Sequence, residues 1–123
     1  MSTELNASRN SEFVVVLPAD LIFAARIRSA AEAVSVSVIL AKDVEEFLTK
    51  VQEIHPRLAI IDLDRRGLAV EHVVTEVKQY DVPLLAYGSH VRADVLNAAR
   101  DAGADRVMAR GAFAKQLSEL LKR

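Results

Sequence analysis

"RLAIIDLDRRG" (57–67) is the stretch on which the reading of this chain turns. Leu58 to Ile61 are apolar at every position, so they do not alternate between water and core. A strand of that kind is covered on both faces, as strands are in parallel sheets flanked by helices. Asp62 closes the run, and Asp64, Arg65 and Arg66 follow it. Asp62 is therefore either a chemical group aimed into a site or the acidic end of a strand. Working outward, four more runs resemble the "LAIIDL" segment (58–63): "FVVVLP" (13–18), "VSVSVIL" (34–40), "VPLLAY" (82–87) and the weaker "DRVMA" (105–109).

Helical periodicity fills the gaps. The first helix begins near Asp20, an N-cap residue, with Leu21, Ala24, Ala25, Arg28 and Ala31 on one side. The second opens on "KDVEEF", where Asp43 and Glu46 make a capping-box pattern. Its apolar stripe is Val44, Phe47, Leu48, Val51 and Ile54, and it stops at His55 because Pro56 disfavours the α region before it. The third runs from about Leu68 to Tyr80, the fourth from about Val91 to Ala102, ended by Gly103. The fifth is "AFAKQLSELLKR" (112–123), with Phe113, Leu117, Leu120 and Leu121 inward. The order βαβαβαβαβα predicts an α/β fold, a five-stranded parallel sheet with helices on both faces. Ligands of such sheets sit at the carboxyl ends of the strands. Five loops lie there: Pro18–Asp20, Ala41–Asp43, Asp62–Gly67, Tyr87–Val91 and Ala109–Ala112.

The totals exclude other classes. With 123 residues the chain has room for one domain. Sixteen basic against seventeen acidic residues leave no global field for nucleic acid or membrane. No cysteine is present, which rules out disulfides and thiolate sites and fits a reducing cytosol. No apolar run reaches the length of a membrane helix. The polar start, "MSTELNASRNSE", lacks a signal-peptide core and reads as a disordered tail over 1–12, with the domain over 13–123. His55, His72 and His90 show no metal-ligand spacing, no Gly-rich phosphate loop follows the first strand, and no Ser–His–Asp arrangement suggests a hydrolase. The apolar stripes are core.

"HPRLAIIDLD", "DVPLLAYGS" and "ARDAGADRVMARG" together resemble the receiver domain of bacterial two-component response regulators, over about residues 13–122. The resemblance implies the flavodoxin-like (βα)5 fold with strand order 2-1-3-4-5, and it puts Asp62 at the position that accepts phosphate from a histidine kinase. The departures are chemical. Receivers hold Mg²⁺ with two acidic residues at the end of the first strand, where this chain has Leu17 and Pro18, or Pro18 and Ala19; Asp20 comes too late. The Thr or Ser ending the fourth strand is Gly88, with Ser89 one residue on. The Lys and cis proline after the fifth strand are Arg110 and Gly111, and the aromatic switch position is Val107.

Mg²⁺ is held by octahedral oxygen donors, usually one or two carboxylates with waters and phosphate. Without the acidic pair, Asp62 and Asp64 are poor substitutes, and an Asp62–Arg110 ion pair across the site stands in for the ion. The reading is a pseudo-receiver: a cytoplasmic, non-enzymatic protein-interaction module in signalling or transcriptional regulation, without a cofactor and without normal Mg-dependent phosphorylation. Pro18, Asp20, Asp64, Gly88, Ser89 and Arg110 line its site. Asp64, Arg65 and Arg66 read as solvated loop. One alternative is an active receiver phosphorylated at Asp62 with Mg²⁺; another is a small-molecule domain using Arg110 and Ser89 as anion contacts. The expected partners are a signalling protein or an output domain, with no nucleic acid or membrane. The resemblance also implies weak two-fold pairing through the fourth helix, fifth strand and fifth helix. Arg92, Arg100, Asp105, Arg106, Lys115 and Glu119 supply the charges there, with Asn97 among them as a neutral contact.

Overall fold

Runs that are apolar at every position need cover on both sides, and a single layer of parallel strands between two helix layers supplies it. The computed structural model describes residues 10–122. Its strands are β1 (Asn10–Leu17), β2 (Ser37–Leu40), β3 (Pro56–Asp62), β4 (Leu84–Gly88) and β5 (Arg106–Ala109). The helices are α1 (Leu21–Ala33), α2 (Val44–Ile54), α3 (Val70–Lys78), α4 (Ala93–Ala102) and α5 (Arg110–Leu121). All strand pairs are parallel, in the order β2-β1-β3-β4-β5. The expected fold and strand order are those observed.

Strand alternation divides the core in two. Val15, Leu17, Ala59, Ile61, Leu84 and Ala86 face α2, α3 and α4. Val14, Val16, Ile60, Leu85, Tyr87 and Met108 face α1 and α5, meeting Phe23, Ile27, Phe113, Leu117 and Leu121. Two-residue periodicity therefore assigns Asp62, two positions after Ile60, to the α1/α5 side. In register Asp62 lies opposite Tyr87, and Gly88 opposite Ala109.

Several boundaries differ from the sequence reading. β1 takes in Asn10 to Glu12, part of the polar start that the sequence assigns to a tail; residues 1–9 lie outside the described residues. β2 loses its first three residues because α1 ends in a tight turn: the Val36 amide donates to the Ala31 carbonyl and Ser35 takes φ 61°. The buried face of α1 is Phe23, Ala24, Ile27 and Ala31, whereas Leu21, Ala25 and Arg28 are exposed. Phe23 and Ile27, four residues apart, carry more apolar surface than the alanines and turn the helix toward themselves. α5 starts at Arg110, two residues earlier than expected, so Arg110 belongs to a helix as well as to a strand end. His55 does end α2, in the left-handed region at φ 50°. No helix among the described residues is long and apolar enough to cross a membrane.

Candidate functional site

Asp62 is the fully buried charged side chain among the described residues. An ionised carboxylate in that position needs a partner, and Arg110 provides one. Its Nη2 donates to Asp62 Oδ1 at 2.6 Å and to Asp64 Oδ2 at 2.8 Å. The ion pair expected from the sequence is present, and it is a bridge over two carboxylates. The Asp64 amide closes onto Asp62 Oδ1 at 3.0 Å, and the Ser89 amide donates to Asp64 Oδ2 at 2.9 Å. Arg92 approaches Asp64 Oδ1 at 3.9 Å, too far for a hydrogen bond. Burial disfavours the Arg110 cation, but the hydrogen bonds to Asp62 and Asp64 outweigh it and push its pKa above the ordinary value.

Beneath the guanidinium lies an aromatic stack that the sequence reading missed. The Arg110 guanidinium carbon sits 4.9 Å from the centre of the Phe23 ring and 5.1 Å from that of Tyr87. Tyr87 stacks on Phe113 at 4.1 Å with the rings 6° from parallel, and Phe23 tilts against Tyr87 at 5.3 Å. The Arg26 guanidinium carbon also lies over the Phe23 ring, 5.1 Å from its centre. Burial, reinforced by the adjacent Asp62 charge, pushes the Tyr87 hydroxyl far above its ordinary value. Asp62 Oδ2 and Asp64 Oδ1 are buried outside the Arg110 hydrogen bonds, and the Tyr87 hydroxyl is buried beside Asp62. The available signal was that Tyr87 is the one polar-tipped residue in an apolar strand, in register with Asp62.

The other expected site residues divide into two groups. Gly88 belongs with the carboxylates: a Cβ there would meet Leu63 Cβ at 3.2 Å and Asp64 Oδ1 at 3.4 Å, so this strand end closes on Asp64. Ser89 contributes its amide. Pro18 and Asp20 line a separate hollow of about 410 Å³, with Leu21, Leu40, Lys42 and Arg65 among its walls. Asp20 is the N-cap of α1, accepting from the Phe23 amide at 2.7 Å. Arg65, read as solvated loop, donates to the carbonyls of Pro18 at 2.6 Å and Lys42 at 2.7 Å, which ties the ends of β1, β2 and β3 together. Arg66 is exposed, as is His90.

The carboxylates at this strand end are Asp62 and Asp64, and Arg110 occupies one oxygen of each. Leu17 is fully buried in the core and Pro18 has no side-chain oxygen, while Asp62 and Asp64 both face Arg110. No group of three or more His, Cys, Asp or Glu among the described residues is placed to hold a metal. On the expected pairing face, most charges are engaged within the chain: Arg100 with Asn97, Arg106 with Gln116, Asp105 with Lys78 and Glu119 with Lys122. The large exposed apolar side chains are elsewhere, Leu21 and Ile22 at the start of α1 and Val91 after β4. Val107 packs against the α2–α4 core.

The five-stranded parallel sheet of order 2-1-3-4-5 is the fold of solved response regulator receiver domains. A putative response regulator from Chloroflexus aurantiacus superposes with TM-score 0.77 at 18% identity, over 91% of this chain and 95% of that one. A receiver domain protein from Clostridium thermocellum gives 0.76 at 18% identity over 89% and 90%. A response regulator from Thermotoga maritima gives 0.75 at 19% identity over 91% and 95%. No protein-family model matches the chain, and no curated protein matches it by sequence. The chain has the receiver fold.

Proposed function

We propose that this domain is a receiver-like signalling module that recognises partner proteins without Mg²⁺-dependent phosphorylation at Asp62. The observation that carries the reading is the Arg110 bridge to Asp62 and Asp64. Phosphoryl transfer to a carboxylate depends on positioning and on cations that neutralise the incoming charge. Here the counter-charge is built into the chain and already spent on the acceptor. Leu17 and Pro18 mean that the end of β1 adds no carboxylate to Asp62 and Asp64. The module is read as non-enzymatic and cytoplasmic, acting through a signalling partner or an attached output domain. The pairing face implied by resemblance, around α4, β5 and α5, serves as a weak secondary contact because Asp105 and Glu119 are already ion-paired within the monomer.

The test is incubation with a small phosphodonor such as acetyl phosphate, with and without Mg²⁺, followed by intact-mass measurement. The expected outcome is no phosphate adduct on the wild type, matching Asp62→Asn. A Mg²⁺-dependent adduct absent from Asp62→Asn would establish the active-receiver alternative.

A further inference from the structure

Asp62 Oδ2 and Asp64 Oδ1 are buried oxygens that take no hydrogen bond from Arg110, and with the Tyr87 ring they belong to the residues that surround its guanidinium. Arg110 serves both carboxylates through a single nitrogen, Nη2, at 2.6 and 2.8 Å. A guanidinium carries five N–H donors in a planar fork, and its strongest match to a carboxylate sets two nitrogens against two oxygens. Arg110 does not present that fork. It is the first residue of α5, and its guanidinium lies over the Phe23 and Tyr87 rings. The cage therefore holds acceptor capacity that its tethered occupant leaves unused. The aromatic faces suit a flat, weakly hydrated cation better than a compact ammonium.

We infer that Asp62, Asp64, Tyr87 and Phe23 form a guanidinium receptor whose resident ligand is Arg110, and that the site, once emptied of Arg110, takes guanidinium-bearing ligands. The inference rests on the metal-free reading of the site. The ligand class has two sources, free guanidino compounds and arginine side chains of peptides.

Thermal unfolding of Arg110→Ala with methylguanidinium, methylammonium, Mg²⁺ or the peptide Gly-Arg-Gly tests it. Methylguanidinium at about 10 mM is expected to raise the variant's midpoint by roughly 2–5 °C, as ligand binding to the folded state alone does. The wild type should not move, and methylammonium should have no such effect on the variant. Adding Asp62→Asn to Arg110→Ala should abolish the response. A matching rise with the peptide extends the class to arginine side chains; a rise with methylguanidinium alone restricts it to small guanidino compounds. No guanidinium-specific rise, or one that survives Asp62→Asn, overturns the inference. If Arg110→Ala is unfolded at the outset, Arg110→Gln, which keeps the stem over the rings, enters the same series. Saturable Mg²⁺ stabilisation of the wild type well below about 1 mM, the range of a working carboxylate site, would instead overturn the metal-free reading.

Discussion

At the scale of single residues, a buried carboxylate is tolerated only with a counter-charge and hydrogen bonds, since the desolvation of an unpaired ion costs several kcal/mol. Arg110 supplies the charge to Asp62, and the Asp64 amide supplies a second donor. Arg110→Ala is expected to destabilise the domain by about 1–3 kcal/mol, less than a fully buried pair because the Arg110 side chain is itself 27% exposed. Asp62→Ala in the same background should recover part of that loss. Urea denaturation of the four proteins closes the cycle, and strictly additive effects would show that the two side chains do not interact. Gly88 makes a second case. Gly88→Thr, which restores the residue type a receiver would carry, places a Cβ 3.2 Å from Leu63 Cβ and 3.4 Å from Asp64 Oδ1. It should lower stability by roughly 1–3 kcal/mol, the usual cost of overpacking, and a denaturation midpoint unchanged from wild type would show that the strand end yields.

At the scale of elements, the caps and cross-links show how the site is kept in place. Asp43 accepts from the Glu46 amide at 2.8 Å as "KDVEEF" leads one to expect, while Glu46 reaches past the N-cap amide of a strict capping box to that of Lys42 at 2.7 Å. Asp43→Ala should cost about 1 kcal/mol by thermal or chemical unfolding. Asp105, between α4 and β5, accepts from Lys78 Nζ at 2.5 Å and from the Leu84 amide at 2.8 Å. Burial pushes its carboxyl up, but those hydrogen bonds prevail and hold it below the ordinary 3.8. A folded-state value below the unfolded one means that the contribution is complete above the unfolded value. It is lost as pH falls from there through the folded value. Asp105→Asn should therefore flatten the stability profile below about pH 4, the ordinary carboxylate range. Unfolding curves collected from neutral to acid pH check it, and an unchanged acid limb would assign the loss to other carboxylates.

At the scale of the whole molecule, the receiver fold is shared with solved receivers at 18–19% identity. The layers depend on apolar pattern and volume, which many sequences satisfy, whereas metal-assisted phosphoryl transfer depends on particular oxygens. On the α4–β5–α5 face Asp105 and Glu119 are ion-paired within the chain while Arg100 and Arg106 bond neutral amides, and exposed ion pairs contribute little each. Self-association there should be weak and should fade with salt. Sedimentation at low and high ionic strength, with Arg100→Glu and Arg106→Glu as controls, measures it. A monomer up to about millimolar concentration, indifferent to salt and to both substitutions, would remove the face from consideration and leave a different partner protein.

The sequence by itself determined the architecture. Short runs of unbroken apolar residues alternating with helical stripes admit few arrangements besides a covered parallel sheet, and strand alternation already committed Asp62 to the side opposite Ile61. It also foretold the Asp43 cap, the His55 and Gly103 helix ends and the partnership of Asp62 with Arg110, because those follow from local chemistry or from positions at neighbouring strand ends. Tertiary structure decided what lies between elements distant along the chain. Phe23, Tyr87 and Phe113 are ordinary core residues in sequence and become one stack only when α1, β4 and α5 meet. Arg65 looks like a solvated loop residue until folding brings the Pro18 and Lys42 carbonyls within its reach. The buried face of α1 was misjudged for the same reason: periodicity offers a helix several faces, and the volume of what it packs against selects one.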